Sequence, residues 1–87
     1  MNLPKTVKWR DLKRLFAAFG LAVHEGKSRG HRRKRHALVS DRFGNKFPIP
    51  AHNPGDDIHR TYIEAARRRF GLTPQRGISD EDFYGRF

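Results

Sequence analysis

Ala37-Leu38-Val39-Ser40-Asp41-Arg42-Phe43-Gly44-Asn45-Lys46-Phe47-Pro48-Ile49-Pro50 decides how this chain folds. The β-branched and apolar residues on either side of Asp41-Arg42-Phe43-Gly44-Asn45 suit paired strands, and Gly and Asn accept the positive φ that hairpin turns need. The first strand of the pair extends over about residues 31–40. The second covers Lys46 to Pro50, and its two prolines cannot donate to a ladder, so it is expected to lie at a sheet edge or to end early. Upstream, Leu21-Ala22-Val23-His24 reads as a further short strand, followed by the polar, glycine-containing loop Glu25-Gly26-Lys27-Ser28-Arg29-Gly30. Three antiparallel strands result.

Helical patterns flank them. Trp9, Leu12, Phe16 and Phe19 fall at i, i+3, i+7 and i+10, with Leu15 beside them. This predicts a helix over 7–19, with Thr6 as cap and Gly20 as left-handed stop. Ile58, Tyr62, Ala66 and Phe70 repeat at i+4 steps in a second helix, capped by Asp56 or Asp57 and stopped by Gly71. Arg60, Glu64, Arg67 and Arg68 occupy its other face, where Glu64 is placed to pair with Arg60 and Arg68. The fold class is α+β: a two-layer α-β-β-β-α domain with two helices on one face of a three-stranded antiparallel sheet.

Residues 1–6 form a lead-in, 7–73 the basic α+β domain and 74–87 an acidic, aromatic C-terminal extension. Ser79-Asp80-Glu81-Asp82 has the form of a helix start with Ser79 as cap, and Phe83, Tyr84 and Phe87 supply apolar anchors. The extension either frays or docks on the body, or lays its acids over the basic face.

Composition narrows the function. The 87 residues carry 19 Lys and Arg against 9 Asp and Glu, a formal charge of +10. Self-repulsion of that size opposes folding, and a polyanionic partner relieves it. With 36% hydrophobic residues the chain supports one thin core, so chemistry belongs on the surface or in a shallow groove. The absence of Cys removes disulfides and Cys-ligated zinc. No apolar run approaches the roughly 20 residues of a membrane span, and the expected location is the cytoplasm.

The charge is concentrated in Lys27-Ser28-Arg29-Gly30-His31-Arg32-Arg33-Lys34-Arg35-His36, with six fixed cations in ten residues. On a loop and strand entry these form a ridge suited to a sugar-phosphate backbone, and Arg67, Arg68 and Arg69 add a second patch. His31 is the sharpest candidate for chemistry. Surrounding cations disfavour its imidazolium, leaving a group able to take a proton from a ribose 2′-hydroxyl or return one to a leaving 5′-oxygen. Neighbouring Arg and Lys would stabilise the charge on the pentacoordinate phosphorus. A histidine in an arginine-rich loop also serves simply as a phosphate contact. His36 and His52 are further contacts, and His24 and His59 are structural or solvent-facing. With no helical His pair and no Cys, a metal site is not expected, nor is any other cofactor.

The chain resembles the HicA-type mRNA interferase toxins. Val7-Lys8-Trp9-Arg10-Asp11-Leu12-Lys13-Arg14-Leu15-Phe16 and Phe19-Gly20-Leu21 look like that family's opening helix. Gly30-His31, with His36 five residues on, is similar to its Gly-Ser-His stretch and second His. Phe47-Pro48-Ile49-Pro50-Ala51-His52 looks like its third strand, and Pro54-Gly55 through Gly71-Leu72-Thr73 like its closing helix. Together these cover roughly residues 7–73. The resemblance implies a double-stranded-RNA-binding-domain-like fold that cleaves mRNA without a metal, His31 as the catalytic residue, and a cognate antitoxin protein that covers the site. Gly30 stands where the family has Ser, Lys34 where it has an aromatic residue, and the tail after Thr73 is additional.

Three readings follow. The first is a ribonuclease toxin in which Lys27, Ser28, Arg29, Arg32, Arg33, Lys34, Arg35, His36, His52, Arg67 and Arg68 hold RNA beside His31. The second is a non-catalytic RNA-binding module, reading shape and backbone. The third is a DNA-binding, architectural or ribosome-associated protein, ranked lower because neither helix has helix-turn-helix spacing.

Overall fold

A computed structural model describes residues 3–25 and 36–85. Strand β1 (Thr6–Lys8) leads into helix α1 (Trp9–Ala18), followed by β2 (Ala22–His24), β3 (Ala37–Ser40) and β4 (Lys46–Ile49). Strand β5 (Asp57–His59) then enters helix α2 (Arg60–Phe70), and a 3₁₀ turn (Pro74–Arg76) precedes helix α3 (Asp80–Tyr84). This is a small α+β domain with a three-stranded antiparallel sheet ordered β2-β3-β4.

The hairpin forms as the sequence predicts. Ala37 pairs with Ile49 and Ser40 with Lys46, and Gly44 takes the positive φ of 91°. Asp41 holds the turn: its Oδ1 accepts from the backbone amides of Phe43 (2.9 Å) and Asn45 (2.8 Å), and its Oδ2 from Asn45 Nδ2 (2.8 Å). β4, carrying Pro48, lies at the edge. Ala37, Val39 and Ile49 turn inward, while Leu38, Ser40, Lys46 and Pro48 alternate to the opposite face. The inward residues share one core with Trp9, Leu12, Leu15 and Phe16 of α1 and Ile63 and Ala66 of α2.

Both helices begin later than their periodicity predicts, because the residues before them pair with each other. Thr6, Val7 and Lys8 face His59, Ile58 and Asp57 in a separate two-stranded antiparallel sheet. Val7 and Ile58 are each the buried middle residue of a three-residue strand, so one cross-strand apolar pair outweighs extending either helix by a turn. The expected caps change accordingly. Lys8 rather than Thr6 precedes α1 and offers no side-chain cap; the first helical amides instead donate to carbonyls across the junction, Trp9 to Asp56 (2.8 Å) and Arg10 to Pro54 (2.9 Å). Asp56 does not cap α2. Its Oδ2 accepts from the amides of His52 (2.8 Å) and Asn53 (3.0 Å), closing the 52–56 loop. Asp57 pairs with Lys8 at 2.8 Å, and the cap of α2 is His59, whose Nδ1 accepts from the Thr61 amide.

The predicted stops hold. Gly20 (φ 84°) and Gly71 (φ 72°) each close a helix with paired backbone bonds, Leu21 to Phe16 and Gly20 to Ala17, then Leu72 to Arg67 and Gly71 to Arg68.

The C-terminal segment docks. Ser79 Oγ accepts from the Asp82 amide and the Asp82 carboxylate from the Ser79 amide, the capping box anticipated from the sequence. α3 delivers Phe83 and Tyr84 into the core, with Phe83 stacked on Phe19 at 5.6 Å between ring centroids.

Candidate nucleic-acid interface

Of the residues assigned to RNA from the sequence, Lys27, Ser28, Arg29, His31, Arg32, Arg33, Lys34 and Arg35 lie outside the described residues. His36, His52, Arg67 and Arg68 lie within them.

The structure brings His36 and His52 together. His36 immediately precedes β3, and His52 follows β4 by three residues, so the antiparallel pairing of Ala37 with Ile49 carries both to the same end of the sheet. Their rings meet edge to face, with centroids 5.6 Å apart and planes at 66°. Both are exposed. The bond from the His52 amide to Asp56 fixes the backbone beneath the second ring. That carboxylate is held below its ordinary pKa, chiefly by the His52 and Asn53 amides, with burial opposing them, so it stays ionised beside the pair. Two exposed imidazoles thus meet at one end of the sheet.

Arg67 is not part of a basic surface. It is 1% exposed, and its guanidinium lies 4.7 Å above the Phe83 ring. Nε donates to Leu72 O (2.8 Å), Nη1 to Glu64 Oε2 (2.9 Å) and Asp80 Oδ1 (2.7 Å), and Nη2 to Ile78 O (3.1 Å). Burial works against the charge, but the two carboxylates outweigh it and raise the pKa. The expected role in RNA binding is therefore replaced by a structural one. Glu64, expected to pair with Arg60 and Arg68, is drawn to Arg67 because both turn toward the docked tail. Arg68 and Arg69 remain exposed, as anticipated for a second basic patch.

Other cations on the described surface are partly engaged: Lys13 with Glu25 (2.7 Å) and Arg14 with Asp11 (2.6 Å). Lys13, Arg14, Ala17, Leu21, Val23 and Glu25 line an open groove of about 390 Å³ between α1 and β2, shallow as the composition requires. On the outer sheet face His24 Nε2 lies 3.3 Å from Ser40 Oγ.

One exposed feature carries no function in the sequence reading. Phe43, assigned there only to the hairpin turn, is 76% exposed and has the Arg42 guanidinium 5.1 Å from its ring centroid. The available signal is an aromatic residue within an otherwise polar turn.

Among the described residues no group of three or more His, Cys, Asp or Glu is placed to hold a metal ion, and no helix is long and apolar enough to cross a membrane. Comparison of the chain with family models, curated proteins and solved structures finds no match.

Proposed function

We propose that the chain is an RNA-binding endoribonuclease of the mRNA interferase kind, cleaving without a metal and held in check in the cytoplasm by a cognate antitoxin protein. The observation that carries this reading is the His36–His52 contact at the sheet end, with His36 the last residue of the basic run 27–36 that precedes β3 in sequence. A formal charge of +10 supports a polyanionic substrate, and the helix-strand order supports a double-stranded-RNA-binding-domain-like arrangement.

In this mechanism His31 acts as general acid/base. It takes the proton from a ribose 2′-hydroxyl, whose oxygen attacks the adjacent phosphorus while the bond to the 5′-oxygen breaks. The His36–His52 pair supplies the proton to that leaving oxygen, giving a 2′,3′-cyclic phosphate and a free 5′-hydroxyl. Arg and Lys of the basic run and Arg68 hold phosphates.

Incubating labelled mRNA with the purified chain in EDTA tests the proposal. Cutting should persist, disappear in His31→Ala and fall sharply in His36→Ala and His52→Ala. Salt-sensitive binding without cutting would leave a non-catalytic RNA-binding module. Cutting unchanged by His31→Ala would remove His31 from the chemistry.

A further inference from the structure

We propose that Phe43 is a stacking platform for an unpaired RNA base, a second contact at the end of the sheet opposite the histidine pair. The proposal rests on the RNA reading above and deepens it by naming what the far end of the sheet recognises.

Position comes first. The hairpin turn leaves β3 at Ser40 and enters β4 at Lys46, whereas His36 and His52 flank the end where Ala37 pairs with Ile49. Four residues of β3 separate the two ends, about 13 Å at the ordinary strand rise. A strand of RNA crossing the sheet spans that separation in two or three nucleotides.

Rigidity is the second element. An exposed apolar ring on a mobile tip would lose rotational and backbone freedom on binding. Here both oxygens of Asp41 are engaged by Phe43 and Asn45, the Asp41 amide donates to Asn45 O (3.0 Å), and Gly44 closes the turn. Burial opposes ionisation of Asp41, but the donors from Asn45 and Phe43, with the nearby Arg69 charge, hold its pKa below the ordinary value. Its negative charge is thus directed into the turn.

Surroundings are the third. Arg42 sits against the Phe43 ring, Lys46 is exposed at the start of β4, and Arg69 reaches from α2 to donate to Lys46 O at 3.4 Å. An aromatic surface with one cation against it and two more where its turn meets β4 and α2 matches a nucleotide, with the base on the ring and the flanking phosphates on the cations. An apolar protein pocket would match the ring but not the cations. A buried duplex base cannot reach the ring, so the contact selects unpaired nucleotides.

The test uses two labelled RNAs with 2′-O-methyl groups, which bind without being cut: a stem with a single-stranded loop and a blunt duplex of the same stem. Affinities are measured at low salt for the full chain, Phe43→Ala, Phe43→Leu and Phe43→Trp, each checked for native circular dichroism. Loss of the ring in Ala and Leu should weaken loop binding about tenfold and leave duplex binding unchanged. Phe43→Trp should retain loop affinity, and its emission should be quenched by the looped RNA only. Trp9, 1% exposed, is the other indole and gives a constant background. Equal affinities across all four proteins, with unquenched Phe43→Trp emission, overturn the platform alone. No binding of either RNA by the unaltered chain overturns the RNA reading and the platform with it.

Discussion

Asp80 Oδ1 stands 2.7 Å from Arg67 Nη1, and that contact fastens the last turn of the chain to its second helix. Arg67 is fully enclosed while Asp80 is partly solvated, so the two ends of the pair are energetically unequal. Removing Asp80 leaves the guanidinium with Glu64 and two backbone carbonyls. Removing Arg67 abandons all four acceptors and empties the space over Phe83. Arg67→Ala should therefore cost about 3–5 kcal/mol, and Asp80→Ala about 1–2 kcal/mol. Urea unfolding followed by circular dichroism reads both; equal losses would mean the network does not centre on Arg67.

The same packing makes the extension part of the fold. Phe83 is completely buried against Phe16 and Phe19, and α3 has only five residues, too few to be helical alone. Phe83→Ala should cost about 3–5 kcal/mol, a large share of the roughly 5–15 kcal/mol a domain possesses. A chain ending at residue 73 should show no cooperative melting transition. A sharp melt with native circular dichroism from that chain would show that 7–73 folds unaided.

Tyr84 carries a pH signature. Its hydroxyl is buried without a hydrogen-bond partner among the described residues, and burial, with the Glu64 carboxylate nearby, pushes its pKa up to about 12. The unfolded chain releases this proton near the ordinary value of about 10. The folded state therefore holds more protons between those values, and stability present below pH 10 is lost as pH rises toward 12. Tyr84→Phe removes both the ionisation and the unsatisfied hydroxyl. It should be at least as stable at neutral pH and lose less stability than the unaltered chain over that window. Parallel stability–pH curves for the two proteins would exclude Tyr84 from the alkaline response.

His59 is an uncommon helix cap, and its contribution is separable from charge. Nδ1 accepts from the Thr61 amide at 3.1 Å and lies 2.9 Å from Thr61 Oγ1. His59→Ala should cost about 1 kcal/mol, and His59→Asn, which restores an acceptor, should recover most of it. If both variants melt with the unaltered chain, the amide is satisfied by water instead.

These cases mark where the fold was legible. The hairpin, the glycine stops and the Ser79 capping box each depend on residues close in sequence, and local chemistry decides them. The β1–β5 pairing brings Val7 to Ile58 across 51 positions, and nothing in either tripeptide announces its partner. Arg67 misled for a related reason. Its place among Arg68 and Arg69 suggests a solvated patch, yet its sequence register turns it toward Phe83, which only the docked tail supplies. His36 and His52 were separately visible as polar residues at strand ends. Their contact follows from strand register, and the prominence of Phe43 from the rigidity of its turn.

Reassigning Arg67 also alters the expected response to salt. Apart from the cations around Phe43, seven fixed cations remain among the phosphate contacts assigned from the sequence: Lys27, Arg29, Arg32, Arg33, Lys34, Arg35 and Arg68. If all seven touch a single strand, log affinity should fall with log salt with a slope of about −5, the upper limit for this set. Arg68→Gln should lower the slope by about one while weakening all RNA sequences alike. Asp80→Ala, which loosens the Arg67 network without exposing a new phosphate contact, should leave the slope unchanged. Fluorescence anisotropy across a salt series measures all three. A nearly flat dependence for the unaltered chain would sink phosphate binding as the source of affinity, and a slope unaltered in Arg68→Gln would remove that residue from the interface.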